Sequence, residues 1–158
     1  MVQIRRFETE DKDAVKILIT RIMDLEFKED KLAFPQDDLS GLGDSYGRLG
    51  EVFFVAEDER KLIGTVGVKR EDDRVALIRR IFVAPEYRKK QIGIRLMERA
   101  LEFCREVGYR ELVFKTTSRM QGAIELVKKV GFQSRAKVSL GPLELLKFSM
   151  SLDGRNSK

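Results

Sequence analysis

The sequence predicts a single α/β domain in which helices cover the faces of a mixed central sheet. Three apolar segments follow one another across short charged turns between residues 52 and 83, a pattern typical of an antiparallel meander. Segments of helical periodicity then alternate with strand-like segments up to residue 152. Together these patterns imply a mixed sheet. A chain of 158 residues is long enough to bury one core, and we assign residues 1–152 to it.

The first part of the chain predicts a strand, a helix and a loop. Residues 2–7 alternate as a strand does, and Thr9 is placed to cap a helix that continues to about Phe27. Residues 29–50 contain Pro35 and four of the twelve glycines, which predicts a substrate loop rather than regular structure. The meander that follows consists of three strands, residues 52–56, 62–69 and 75–83.

The second part of the chain contains two amphipathic segments that each end at a glycine. Residues 92–107 and 121–130 repeat apolar side chains at helical spacing, and Gly108 and Gly131 follow them directly. Both segments are therefore predicted to be helices. The remaining predictions are a strand at residues 112–115, two strands within residues 134–152, and a disordered tail at residues 153–158.

The composition excludes several classes of enzyme. The chain has no His and one cysteine, which rules out Ser/His/Asp and Cys/His hydrolases, His-ligated zinc and internal disulfides; no metal site is expected. The cysteine, Cys104, lies on an apolar helical stripe, which favours packing over a reactive thiol. There is neither a run of 18 apolar residues nor an apolar leader, so we expect a cytoplasmic protein without membrane contact.

The net charge of +5 is concentrated in one short segment. Residues 79–95 carry six basic residues and one acidic residue, whereas residues 29–51 carry six acidic and two basic residues. A compact anion site and an acidic loop fit this distribution better than a broad basic face does, so nucleic-acid binding is not expected. Solvated surface alone is the plain alternative for both segments.

The basic segment has the features of a phosphate site. Residues 81–97 lead from an apolar strand through Pro85 and a basic turn directly into an amphipathic helix. The free N–H groups and the positive dipole at a helix start hold anions, and Gly93 would let the backbone approach one closely. The dipole itself disfavours basic side chains at this place, which strengthens the case for a bound anion. The segment therefore predicts a phosphate or pyrophosphate cradle.

The same segment resembles the acetyl-CoA fingerprint P-x-x-[QR]-x-x-G-x-[GA] of the GNAT superfamily of N-acetyltransferases. Pro85, Arg88 and Gly93 match it, while Gln91 stands at the first glycine. AIELVKKVGF, residues 123–132, is similar to the family's A-I-x-L-Y-x-x-x-G-F helix. VFFVAEDERKLIGTVGV is similar to its V-A-x-D-x-x-x-I-G-x-V hairpin, so the resemblance covers residues 50–133 closely.

Resemblance to this family implies a GNAT-like fold and acetyl-CoA as the cofactor. The strand ending at residues 81–83 would splay from its neighbour and offer backbone groups to the pantetheine arm, while the basic turn would hold the pyrophosphate. The following helix would flank the thioester. The cofactor-binding residues implied in this way are Ile81, Phe82, Val83, Arg88, Lys89, Lys90, Gln91, Ile92, Gly93, Ile94, Arg95, Ala123, Val127 and Lys128.

Two positions depart from the family's catalytic pattern. The family commonly has a Glu in E-[LM]-x-R-[LM]-[FY]-V to accept the amine proton and a Tyr in A-I-x-L-Y to protonate the thiolate. The matching residues here are Leu77 and Val127. Neither loss abolishes acyl transfer, because the reaction relies largely on proximity. The catalytic residues stay open, with four candidates: Glu51, Asp44, Tyr46 and Ser118.

The resemblance implies an N-acetyltransferase that moves an acetyl group from acetyl-CoA directly to a primary amine. The acceptor would be a small molecule or a peptide N-terminus, and the acidic loop favours a small cationic amine. A catalytically impaired acyl-CoA-binding or regulatory module of the same fold is the alternative, suggested by Leu77 and Val127. A nucleic-acid-binding protein ranks last, and a homodimer is left open.

Overall fold

One mixed sheet of seven strands organises the chain. The computed structural model describes residues 1–35 and 37–152, and the tail predicted at residues 153–158 lies outside this part. The strand order is β1-β2-β3-β4-β5-β7-β6, and every neighbouring pair is antiparallel except β4 and β5. The strands are β1 (Val2–Arg6), β2 (Val52–Asp58), β3 (Lys61–Arg70), β4 (Val75–Val83), β5 (Glu111–Thr117), β6 (Gln133–Leu140) and β7 (Leu143–Ser151).

Four α-helices and four short 3₁₀ turns connect the strands within the described part of the chain. The helices are α1 (Lys12–Glu26), α2 (Leu42–Ser45), α3 (Ile92–Val107) and α4 (Gln121–Val130). The 3₁₀ turns are Thr9–Asp11, Lys28–Leu32, Asp37–Gly41 and Pro85–Tyr87. The predicted bounds of β4, α3 and α4 are confirmed. None of the helices in residues 1–35 and 37–152 combines the length and apolarity needed to cross a bilayer.

The segment between α1 and β2 is more regular than the sequence predicted. It contains three of the short helical elements, because Leu39, Leu42 and Tyr46 recur at helical spacing and are buried together. The predicted cap at Thr9 is also corrected. Glu8 precedes the first 3₁₀ turn, and the Asp11 carboxylate accepts the Glu8 N–H at 2.8 Å.

The two faces of the sheet are covered by different helices. Helices α3 and α4 pack on one face, here called the α3 face. The core between these helices and the sheet includes Phe54 and Phe148. Helix α1 and residues 37–46 pack on the other face, the α1 face, over Phe53 and Val55. Cys104 is fully buried on the α3 face, and burial raises the pKa of its thiol to about 12, so its predicted packing role is confirmed.

The two parallel strands separate part-way along their length. Pairing between β4 and β5 runs from Val75 with Glu111 to Ile78 with Phe114 and then ends. A bulge bends β4 just beyond this point, because two residues, one of them Arg80, lie opposite a single residue of β3. We call the gap between residues 79–83 of β4 and residues 115–117 of β5 the wedge.

Candidate active site

A cavity of about 920 Å³ passes through the wedge. Its walls are residues of β4, of β5, of α4 and of the turn that leads into α3. On the α1 face it reaches Phe27 and Phe34, which follow α1. A cavity of this size accommodates an elongated ligand with a volume of several hundred cubic ångströms. The cavity thus connects the start of α3 on one face with the α1 face on the other.

The turn before α3 presents backbone N–H groups to the cavity. Lys89 and Gln91 both have φ of 64°, in the left-handed region, and α3 begins immediately afterwards at Ile92. Gly93 lies in the first turn of this helix, and a Cβ there would come within 3.1 Å of Leu126 Cδ2 of α4. Gly93 therefore also permits close packing of α3 on α4. The first N–H groups of α3 have no helical acceptor and suit an anion.

The four basic side chains between residues 88 and 95 have different surroundings. Arg88 and Lys89 line the cavity, whereas Lys90 and Arg95 are not part of its wall. The Arg88 guanidinium donates to both carboxylate oxygens of Glu26, at 2.7 and 3.0 Å, so its charge is already paired. Arg95 donates to a backbone carbonyl of β1 at 3.1 Å. The positive potential at the turn therefore comes chiefly from the helix start and Lys89.

The edge of β4 directs backbone groups into the wedge. The Ala84 N–H donates to the Ile63 carbonyl of β3 at 2.8 Å. Backbone groups of successive residues in a strand point to opposite sides, so the N–H and C=O of Val83 point away from β3 into the wedge. The Arg88 Nε donates to this Val83 carbonyl at 3.0 Å, which is consistent with that direction. Ile81 and Phe82 line the cavity beside it, and their contact with a cofactor stays a prediction.

The β4 bulge is held by a buried polar network. Arg80 has φ of 56°, and the Thr65 hydroxyl donates to its carbonyl at 2.7 Å. The Arg80 guanidinium donates to the Asp38 carboxylate from Nε at 3.0 Å and to the Pro35 carbonyl at 2.8 Å. Tyr46 donates its hydroxyl to Asp38 at 2.8 Å. We call Arg80, Asp38, Tyr46 and Thr65 the bulge clamp, because they fix the opening of the wedge.

The charge state of the clamp follows from its contacts. Burial alone would raise the pKa of Asp38, but the hydrogen bond and charge of Arg80 outweigh it and hold that pKa below its usual range. Burial and the neighbouring Asp38 charge raise the pKa of Tyr46. Asp38 is thus an anion and Tyr46 a neutral donor at neutral pH. Sequence reasoning did not find this clamp, whose visible signal is a pair of arginines inside an apolar strand.

None of the four candidate catalytic residues lines the cavity. Tyr46 is buried in the clamp, and its raised pKa makes it a poor base. Glu51 is buried beside Lys69 and accepts the backbone N–H groups of Arg48 and Arg70. Asp44 and Ser118 lie outside the cavity wall as well.

Helix α4 turns a different side to the cavity than the resemblance implied. Ala123 and Leu126 line the cavity, but Val127 is fully buried in the core of the α3 face and Lys128 is exposed elsewhere. Consecutive helical residues are about 100° apart, which separates Leu126 from Val127. Val127 and Lys128 therefore do not line the cavity, although the resemblance implied that they contact the cofactor. Leu77 does line the cavity, at the end where the strands meet.

Comparison with known proteins identifies the family of this arrangement. Residues 19–132 match the family model described as the acetyltransferase (GNAT) family. The chain belongs to this family. The GNAT fold is also seen in a GNAT acetyltransferase from Staphylococcus aureus Mu50, which is 20% identical with a TM-score of 0.84 and covers 97% of this chain and 100% of its own.

Curated relatives of this GNAT chain are longer proteins. Probable N-acetyltransferase camello of Xenopus tropicalis is 34% identical over 57% of this chain and 42% of its own length. Human N-acetyltransferase 8 is 33% identical over 61% of this chain and 45% of its own length. The match thus spans less than half of either relative.

GNAT proteins use acetyl-CoA, and the site fits that cofactor. The putative acetyltransferase yncA of Salmonella typhimurium was solved with acetyl-CoA; it is 20% identical, has a TM-score of 0.79 and covers 99% of this chain and 96% of its own. In the present chain the start of α3 suits the pyrophosphate, and the Val83 N–H suits an amide of the pantetheine arm. Both features face one continuous cavity.

Proposed function

We propose that this GNAT chain transfers an acetyl group from acetyl-CoA directly to a primary amine. The observation that carries the proposal is the continuity of the cavity from the start of α3 through the wedge to the α1 face. The first N–H groups of α3 bind the pyrophosphate, and Lys89 adds positive charge there. Backbone groups of residues 81–83 orient the pantetheine arm, which leaves the opposite mouth of the cavity to the amine.

The chemistry at the wedge balances without a further reagent. When bound, acetyl-CoA supplies an activated acyl group. The amine nitrogen forms a bond to the carbonyl carbon while the C–S bond breaks, and the proton lost from nitrogen balances the one that the sulfur takes up. A backbone N–H on the wedge side of β4, within residues 81–83, polarises the carbonyl oxygen.

The chain achieves this transfer mainly by holding the reactants together. No carboxylate stands at Leu77, and Leu77 and Val113 instead give the cavity an apolar wall that excludes water. Correct positioning of two reactants contributes up to about 7–11 kcal/mol, whereas acid–base assistance adds only about 10²- to 10⁴-fold in rate. The acceptor amine therefore binds in its neutral form.

The acceptor class needs revision from the sequence-based expectation of a small cationic amine. That expectation depended on six acidic residues between positions 29 and 51, and three of them are paired with basic side chains, two of these being buried and Asp38 half-buried. Asp30 is paired with Arg119, Asp38 with Arg80, and Glu51 with Lys69. The acidic segment thus presents less negative charge than its composition suggests. Small amines and peptide N-termini both remain acceptors under this proposal.

A catalytically impaired acyl-CoA-binding module is the second candidate function. The specific observation in its favour is that Leu77 lines the cavity where the family commonly has Glu, and that Val127 lies in the core. Binding of acetyl-CoA without acetylation of any amine would support this candidate over the first.

The test combines binding with turnover. Calorimetric titration with acetyl-CoA and thiol release with a panel of amines should both be positive for the wild-type chain. Gly93→Asp should weaken acetyl-CoA binding severely, because it places a bulky negative group beside phosphate and against Leu126. Gly43→Asp is the matched control, since a Cβ at Gly43 meets nothing within 4 Å.

A second variant separates misfolding from loss of the site. Lys89→Gln removes a cavity cation without a clash and should weaken acetyl-CoA binding about threefold to tenfold. Unchanged affinity in both Lys89→Gln and Gly93→Asp would contradict the phosphate assignment.

A further inference from the structure

Three cations lie side by side on the α1 face of the sheet. Ile78, Phe114 and Phe148 belong to the core of the α3 face, and β5 pairs Phe114 with Phe148 and Lys115 with Lys147. Side chains alternate along a strand, so the residues next to this apolar row point to the α1 face. These residues are Arg79 of β4, Lys115 of β5 and Lys147 of β7.

This row of cations lacks internal compensation. Within residues 1–35 and 37–152, no carboxylate lies within 4.0 Å of the charged nitrogens of Arg79, Lys115 or Lys147. Asp38 is near enough to Arg79 for their charges to interact, but its carboxylate oxygens already accept from the bulge clamp. Like charges directly opposite each other on neighbouring strands destabilise a sheet. An anion bound at this row would remove that cost.

The position of the row separates it from the cofactor phosphates. Arg79 and Lys115 line the cavity, and they are the first residues beyond Ile78 and Phe114, the last paired residues of β4 and β5. They lie on the α1 face, whereas Ile92 at the start of α3 packs in the core of the α3 face. One extended cofactor with its pyrophosphate at the start of α3 therefore leaves Arg79 and Lys115 to the acceptor.

We propose that the acceptor is an amine carrying a carboxylate, and that Arg79 and Lys115 bind this carboxylate. The inference depends on the proposed function, because it places the acetyl group at the end of the wedge where the strands meet. Arg79 and Lys115 are one strand residue from that end, a distance of about 3.3 Å along each strand. The carboxylate must then lie within a few bonds of the reactive amine, as in an α-amino acid.

A turnover-independent experiment tests the acceptor class. The chain is saturated with CoA and titrated calorimetrically with the N-acetyl derivatives of alanine, leucine and phenylalanine, and with the corresponding N-acetyl amino acid amides. At least one acid should bind about tenfold or more tightly than its amide, because a charged carboxylate accepts stronger hydrogen bonds from Arg79 and Lys115 than a neutral amide does. Equal affinity of acid and amide in every series, or no binding of either, would overturn the proposal.

Variants assign the effect to the two residues. Arg79→Gln and Lys115→Gln should each reduce the preference for the acid about tenfold while leaving the CoA dissociation constant within twofold. Lys115 is exposed, so its variant tests the proposal even if Arg79→Gln is poorly folded. Lys16→Gln, on the exposed side of α1, removes the same charge far from the cavity and should change nothing. An acid preference that persists in both Arg79→Gln and Lys115→Gln would exclude these residues as the carboxylate site.

Kinetics distinguish this inference from the proposed function. Thiol release with free amino acids and with amino acid amides should show a higher kcat/KM for the acids, through a lower KM. If amides react as well as acids, the acceptor inference fails and the acetyltransferase proposal stands. If acetyl-CoA does not bind, or no amine is acetylated, the proposed function itself fails.

Discussion

Replacing Gln91 with glycine should make the protein more stable. Gln91 has φ of 64° and ψ of 18°, a left-handed conformation that glycine adopts without cost. Its side chain is exposed and does not cap α3. It stands at the first glycine of the pattern that this turn resembles. The variant Gln91→Gly therefore removes backbone strain and no stabilising side-chain contact.

The size of the effect follows from two opposing contributions. A non-glycine residue in the left-handed region costs about 1–2 kcal/mol, and glycine adds about 0.4–1 kcal/mol of chain entropy to the unfolded state. The net gain should be about 0.5–1 kcal/mol in the free energy of unfolding. For a chain of 158 residues this corresponds to a rise in Tm of about 1–4 °C.

Urea unfolding followed by circular dichroism measures this difference. Lys89→Gly should behave in the same way, because Lys89 also has φ of 64°. Glu98→Gly is the opposite control: Glu98 is exposed inside α3, where glycine costs about 1 kcal/mol. A Gln91→Gly variant that unfolds at a lower urea concentration than the wild type would refute the assignment of strain to this turn.

Three further variants or conditions test other parts of the structure. Val127→Tyr should lower the free energy of unfolding by about 1–3 kcal/mol, measured in urea, because it overpacks a core position. An unchanged free energy of unfolding would indicate that Val127 lines the cavity instead. Cys104 should resist thiol reagents at pH 8 in the folded state and react in urea; since its pKa rises from 9.0 to about 12 on folding, stability should fall as pH increases through this interval. Asp38→Asn should lower the free energy of unfolding by about 3 kcal/mol, because it leaves the Arg80 charge without a partner. In the wild type, the stabilisation by the Asp38–Arg80 ion pair should be complete above about pH 4 and disappear as pH falls below the lowered pKa of Asp38.

The pH dependence of the reaction tests the absence of a base at Leu77. An acceptor that must bind as a neutral amine gives a kcat/KM that rises about tenfold per pH unit up to the pKa of that amine. Stopped assays with two amines of different pKa would show the profile moving with the amine. A profile that stays fixed for both amines would instead reveal a catalytic group of the protein.

The elements that the sequence predicted best are those with strong local signals. Helices α3 and α4 have their predicted bounds because each combines regular apolar spacing with a glycine in a left-handed or similar positive-φ conformation at its end, Gly108 and Gly131. The segment between α1 and β2 was harder to predict. Its glycines suggested a loop, while the buried Leu39 and Leu42 that order it depend on packing against a distant strand.

The site was predictable in its backbone and less so in its side chains. The wedge and the turn before α3 follow from the resemblance, and residues 81–83, which the resemblance implied as cofactor-binding, line the cavity. The face that α4 presents was not predictable, because a single step along a helix decides whether Leu126 or Val127 faces the cavity. The paired acids of residues 29–51 were also hidden, since their basic partners are distant in sequence.

The bulge in β4 explains how two adjacent arginines acquire different environments. Regular alternation would direct Arg80 to the α3 face with Ile78, where a charge would lie among apolar side chains. Positive φ at Arg80 instead lets its guanidinium reach Asp38 on the α1 face, while Arg79 keeps its regular position in the cavity wall. One strained residue thus separates Arg80, which belongs to the clamp, from Arg79, for which we propose the carboxylate of the acceptor as partner. The acceptor proposed for this chain and the shape of its cofactor site therefore have a common origin in the backbone of β4.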